Sequence, residues 1–126
     1  MKAVQISSTV KKYPVWPYNE MKKAILGASY ELSLTFIGPD RAKRLNTTYR
    51  SKDYTPNVLS FPLDEKTGEI YICPAVAEKQ AKEYGFTVRG HIAFLFIHGL
   101  LHLKGHAHGD TMDKLEHKFV RKFRIK

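Results

Sequence analysis

The sequence predicts an α+β fold: one compact domain, residues 1–126, in which a mixed sheet of about four strands is covered by helices. Three observations carry this. Short segments alternate apolar and polar side chains, Leu32-Ser-Leu34-Thr-Phe36 most cleanly, which is the period of a half-buried strand. Segments with helix start and stop signals are interspersed among them. The longest of these, residues 88–104, is apolar nearly all round, and such a helix belongs in a protein's centre. No internal repeat, low-complexity tract or Gly/Ser linker divides the chain, whose 126 residues can bury roughly two-thirds of their unfolded surface without staples.

Taken in order, Val4-Gln-Ile6 begins an alternating strand. A helix follows Pro17, with Met21, Ala24, Ile25 and Ala28 on one side. The strand Leu32–Phe36 stops at Gly38-Pro39-Asp40, where Asp40 is placed to cap a short helix running to about Tyr49. Val58–Phe61 and Glu69–Ile72 read as two more strands, joined across Asp64–Gly68. Pro74 starts a helix carrying Val76, Ala77, Gln80 and Ala81 and ending near Gly85. The central helix then runs from about Val88 to Lys104. Asp110-Thr111 opens the last helix, basic outside, with Leu115, Phe119 and Phe123 inside. Strand order does not follow from these signals.

Composition narrows the class. A hydrophobic fraction of 43% suits a globular protein and argues against disorder. The single cysteine, Cys73, excludes an internal disulfide and fits a reducing cytoplasm. The first residues lack the apolar run of a signal peptide, and the longest unbroken apolar run, Ile92–Ile97, is far too short to span a bilayer. A soluble, cytoplasmic protein is expected, with no membrane partner. The net charge of +9 and pI near 9.7 favour a polyanionic partner. Arg41, Lys43, Arg44, Arg50 and Lys52 form one basic cluster; Lys114, Lys118, Arg121, Lys122, Arg124 and Lys126 form another. On charge alone, an RNA or ribosomal partner and a merely solubilising basic surface fit equally well.

The chemistry lies near the end of the central helix, in His98-Gly-Leu-Leu-His102-Leu-Lys-Gly105-His106-Ala107-His108. His98 and His102 are four residues apart and therefore share one helix face. Gly105 lets the chain leave the helix and turn back, because glycine takes a left-handed end conformation cheaply. That return brings His108 toward the other two. Three neutral imidazoles with an open fourth position describe a catalytic metal site rather than a closed structural one. Zinc suits the ligand set best, while nickel, copper and iron remain open. A metal so held polarises phosphoryl oxygens and activates water at neutral pH. The spacing is that of the zincin metalloproteases, but Gly99 stands where a protease carries its catalytic glutamate.

Neighbouring residues compete for roles. His106 is the rival third ligand, although spacing prefers His108. His91 shares the face of His98 but lies roughly 10 Å along the axis, too far for the same metal, and reads as structural or supporting. His117 falls on the solvated side of the last helix. Arg50, between a helix and the Val58 strand, is placed to clamp a phosphate if that strand lies beside the central helix; otherwise it is an ordinary surface arginine. Ser60 has no visible base partner. No Gly-rich phosphate loop, Cys-x-x-Cys pair or paired-carboxylate nuclease site is evident.

Three blocks together resemble one family. The run His98-Gly-x-Leu-His102-Leu-x-Gly105-x-x-His108 is similar to the signature of the YbeY family of bacterial rRNA maturation factors. Leu45-Asn-x-x-Tyr49-Arg50-x-Lys52-Asp53 with Val58-Leu-Ser-Phe-Pro62, and Gly68-Glu-Ile-Tyr-Ile-Cys-Pro74, resemble its other blocks, in the family's order. The similarity runs from about residue 30 to the end. It implies a compact α+β fold and a three-histidine site holding one zinc ion through His98, His102 and His108. It further implies a single-strand-specific endoribonuclease acting at the 3′ end of small-subunit 16S rRNA and in ribosome quality control. Arg50 matches the arginine implicated in activity, so Arg50 and the ligand His98 become the catalytic candidates, with Arg44, Arg50 and Lys52 as substrate-binding ones. Two departures stand out. The family usually ends its motif Gly-Tyr-Asp-His, whereas His106 and Ala107 stand here, removing an acid that can support the ligands. Upstream of Val58 the family often has Thr-Asp, where this chain has Pro56-Asn57. The expected function is thus a zinc-dependent endoribonuclease with RNA and the ribosome as partners. A non-catalytic metal-binding assembly factor is the alternative, and a metalloprotease a remote third.

Overall fold

The computed structural model describes residues 2–126. Four strands and five helices are observed among them: β1 (Gln5–Ser8), α1 (Tyr18–Leu26), β2 (Glu31–Phe36), α2 (Pro39–Arg50), β3 (Val58–Asp64), β4 (Thr67–Ile72), α3 (Pro74–Gln80), α4 (Val88–Lys104) and α5 (Asp110–Lys122). The sheet order is β1-β2-β4-β3, with β1 and β4 parallel to β2 and β3 antiparallel to β4. This is the mixed four-stranded α+β arrangement the alternation predicts.

The core forms where the two patterns meet. Leu32, Leu34 and Phe36 of β2 point to one face, in register with Gly68, Ile70 and Ile72 of β4. Over that face lies α4, whose Ile92, Ala93, Phe96, Ile97, Leu100 and Leu101 are all buried. α4 contacts β3, β4, α1, α3 and α5, so its all-round apolarity is matched by neighbours on every side. The opposite face of the sheet carries a smaller cluster, where Tyr71 and Leu45 pack around Ile37, Ala42 and Cys73.

Both ends of α4 are closed by local chemistry. The Thr87 hydroxyl accepts the Gly90 N–H at 3.0 Å. At the other end Gly105 is left-handed (φ 109°), its N–H donates to His102, and the His106 N–H donates to Leu101. That pair of bonds is a Schellman ending, and it aims residues 106–108 back at the helix.

Several elements differ in detail from the sequence expectation. β1 begins at Gln5 and is exposed throughout, being an edge strand; only Val4, just before it, is buried. Ala24 faces solvent and Ala28 lies beyond the helix, which Gly27 ends. Gly38 rather than Asp40 caps α2, because Pro39 takes the first helical position and moves the start two residues earlier; Asp40 sits in the first turn, favourable for the helix dipole. The β3–β4 hairpin is tighter than the residue 64–68 link suggests, with the Asp64 carboxylate accepting the Lys66 N–H at 2.8 Å.

Lys22 is the least expected core residue. It is 0% exposed, and its ammonium donates to the carbonyls of Lys2 (2.7 Å), Ala28 (3.1 Å) and Tyr30 (3.0 Å). Burial pushes its pKa down. Three donors meet three acceptors, tying α1 to the start of β2 and to the segment before β1. Lys22→Met, which keeps the volume, takes the ammonium from the Lys2 and Tyr30 carbonyls and leaves Ala28 only the Lys2 N–H, is expected to destabilise the fold by about 3–5 kcal/mol. Chemical denaturation would show this as a lower midpoint at unchanged m; an unchanged midpoint would mean that water takes the lysine's place.

Candidate metal centre

His98 and His102 project from the last two turns of α4, and the Schellman turn delivers His108 to them. One nitrogen of each ring lies within 4.8 Å of the others. The ring centroids are 4.5 Å apart for His98–His102 and 5.0 Å for each pair with His108. His106, the rival third ligand, stays outside the cluster. Its contribution is a backbone one, a carbonyl that receives the His102 Nδ1–H at 3.0 Å.

The hydrogen bonds around the rings decide what the cluster can bind. The partner of His102 Nδ1 is a carbonyl and that of His98 Nδ1 is the Glu116 carboxylate at 2.7 Å; neither can donate. Both Nδ1 atoms therefore carry the hydrogen, and in the neutral rings both Nε2 atoms carry lone pairs. Those two Nε2 atoms face each other at 3.0 Å. Two acceptors at that separation repel unless a cation stands with them. Burial first, and then the charge of His98, hold the His102 imidazole below its ordinary pKa, so its lone pair is free at neutral pH. The donor set and its tautomers fit a metal ion.

Glu116 is the site residue that sequence reasoning missed. It is 7% exposed on a helix rich in exposed lysine and arginine. A signal did exist: Met112, Glu116, Phe119 and Phe123 repeat at helical spacing, which puts the glutamate on the inward stripe. It supplies a carboxylate to a ligand histidine although position 107 is alanine. Glu116→Gln is expected to weaken metal binding about 10- to 100-fold while leaving the helix content intact. Competition against a chromophoric chelator would measure it, and an unchanged affinity would reduce Glu116 to a packing role.

The triad opens into a cavity of ≈ 620 Å³ whose wall includes Arg50, Tyr54, Asn57 and Phe94. Arg50 is the last residue of α2, and left-handed Ser51 ends the helix there (φ 56°). Buried Asn46 accepts from Arg50 Nη1 at 3.3 Å and donates to the Tyr54 carbonyl at 3.0 Å, so one amide holds both the arginine and the following loop. Arg50 and the three histidines thus share one cavity. Arg44 does not: it lies in a separate depression on α2 with Lys43 and Thr47. Lys52 is exposed outside the cavity lining. His117 is exposed on α5, its Nδ1–H bound to the Asp113 carbonyl at 2.7 Å, as expected of a solvated position.

Two residues lose their catalytic alternatives. The Ser60 hydroxyl donates to the Gly99 carbonyl at 3.2 Å, so it is spent on joining β3 to α4. A Cβ at Gly99 would come within 2.9 Å of Ser60 Oγ and 3.0 Å of Ile70 Cδ1. The position that carries a protease's glutamate is here pressed against the sheet, with no room for one. No helix among the described residues is long and apolar enough to cross a membrane.

Comparison with known proteins gives a consistent answer. The sequence model of a family described as endoribonuclease YbeY matches residues 3–123. Proteins named endoribonuclease YbeY are similar to this chain. The one from Paraburkholderia phymatum is 43% identical over 70% of this chain and 61% of its own length. The one from Finegoldia magna is 39% identical over 69% and 61%. The one from Polynucleobacter asymbioticus is 35% identical over 92% and 74%. The match thus spans about 61% of the length of the first two relatives. The solution structure of TM1509 from Thermotoga maritima superposes with a TM-score of 0.68, at 27% identity, covering 95% of this chain and 88% of that one.

Proposed function

Because the chain belongs to the endoribonuclease YbeY family, we propose that it is a zinc-dependent, single-strand-specific endoribonuclease of rRNA. Its expected task is maturation of the 16S rRNA 3′ end and ribosome quality control, in the cytoplasm. The observation that carries this reading is the pairing of two facing imidazole lone pairs with Arg50 in one cavity. Three imidazoles suit zinc, which when bound supplies Lewis acidity at a phosphoryl oxygen and activates water.

The chain's own residues do the rest. His98, His102 and His108 hold the ion, and Glu116 and the His106 carbonyl keep the first two rings in the binding tautomer. Arg50, steadied by Asn46, sits where it can pair with a phosphate and neutralise the charge that builds on it in the transition state. Arg41, Lys43 and Arg44 of α2, Lys52 and the exposed lysines and arginines of α5 are the basic groups available to the RNA backbone beyond the cavity, so binding should weaken with added salt. That the carboxylate lining the cavity, Glu116, is engaged with His98 rather than free to take a proton favours a second reading, a metal-binding ribosome-assembly factor that does not cleave.

One experiment separates the two. An end-labelled single-stranded rRNA fragment is expected to be cut at defined positions by the zinc-loaded protein. Cutting should stop on chelation and return when zinc is restored. Intact RNA in the presence of bound metal would favour the assembly factor, and cleavage that survives chelation would point to a contaminant. Product ends then identify the nucleophile. A 2′,3′-cyclic phosphate means the RNA's own 2′-hydroxyl, and a 3′-hydroxyl with a 5′-phosphate means water.

A further inference from the structure

His91 lines the same cavity as the triad, seven residues before His98 on α4 and so roughly 10 Å along the helix axis. It is 1% exposed, and neither of its ring nitrogens has a hydrogen-bond partner. A neutral imidazole offers one donor and one acceptor. Leaving both unpaired and buried is unfavourable, and native structures rarely do it without a reason.

The surroundings of that ring are aromatic and nearly parallel. Tyr84 stacks on it with centroids 5.2 Å apart and planes 14° apart, and Phe94 at 6.1 Å and 11°. Both also line the cavity. Tyr84 is 58% exposed, on the turn after α3, so one wall of the stack stands open to solvent. Flat π-faces beside a ring with one free donor and one free acceptor match the chemistry of an unstacked nucleobase, which needs a stacking surface and a partner for its edge.

The geometry points to a base-binding subsite at Tyr84, His91 and Phe94 that takes one base of a single-stranded RNA next to the phosphate held at Arg50 and the triad. The inference rests on the nuclease reading above. The offset along α4 is comparable to the reach of one nucleotide from phosphate to base edge. Both His91 nitrogens are buried, so a base edge reaches them only when the aromatic packing around the ring gives way. The subsite would therefore read the RNA in two steps, stacking first and edge pairing second.

The test uses short single-stranded RNAs and the full, zinc-loaded chain. One set carries a single abasic ribose at successive positions around the cut; a second carries 2-aminopurine at the same positions. At one position beside the cut, removing the base is expected to weaken wild-type binding about tenfold, and 2-aminopurine there should be quenched. Tyr84→Ala should abolish both effects and Tyr84→Phe should keep both. His91→Phe should keep the quenching while erasing any preference between bases, an outcome that a purely structural His91 would not produce. If every abasic RNA binds and is cut like the intact one, the subsite is wrong and the nuclease reading stands. If no RNA in either set is bound or cut, both fall.

Discussion

A His102→Ala chain is expected to lose metal-dependent RNA cleavage by about 10³-fold or more, a change of ~4 kcal/mol in transition-state stabilisation. The substitution removes the nitrogen that faces His98 Nε2 at 3.0 Å and leaves His98 and His108 as a two-ligand remnant. Stability should respond differently with and without metal. In the apo protein, alanine relieves a lone-pair clash and removes a half-buried polar ring, so the unfolding midpoint should change little. With zinc at about 100 times its Kd, wild type should gain ~2.7 kcal/mol from ligand binding, and the variant should not. Parallel cleavage and thermal-melt series on identically purified proteins would check both. Undiminished cleavage by the variant would remove the triad from the chemistry, whatever its metal content.

Replacing Arg50 should separate charge stabilisation from metal binding. Arg50→Ala is expected to lower kcat/KM by about 10²- to 10³-fold, chiefly through kcat, because the guanidinium acts where charge builds in the transition state. Metal affinity should stay as in wild type, since Arg50 touches Asn46 and not the histidines. Stability should move by no more than about 0.5 kcal/mol, as the side chain is exposed. Arg50→Lys should recover only part of the loss: an ammonium keeps the charge but not the planar fork that meets two phosphate oxygens at once. Steady-state kinetics on a labelled RNA, with a metal titration alongside, distinguish these outcomes. Activity within a few-fold of wild type in Arg50→Ala would return the residue to an ordinary surface role.

Much of this could be read from local pattern. The alternation in Leu32–Phe36 and the all-round apolarity of α4 predict a strand with one buried face and a central helix, and both are observed. The i, i+4 histidines and Gly105 are equally local, because a helix face and a left-handed ending are set within a few residues of sequence. Where a local rule went astray it was outvoted by an adjacent one, as when Pro39 moved the start of α2 ahead of Asp40.

Other features depend on segments far apart in the chain. Glu116 is eighteen residues from His98, and its role exists only because α5 folds back across α4. Lys22 reads as a surface lysine until the segments on either side of it close three carbonyls around its ammonium. The strand order β1-β2-β4-β3 and the meeting of Arg50 with the triad belong to the same class. Near-neighbour sterics and periodicity suffice for the elements, the two ends of α4 and the shared helix face of His98 and His102. Tertiary packing sets the tautomers of His98 and His102, the place of His108 rather than His106 in the histidine cluster, and the cavity that joins the cluster to Arg50. Those follow from which buried polar groups find partners once distant segments are packed together.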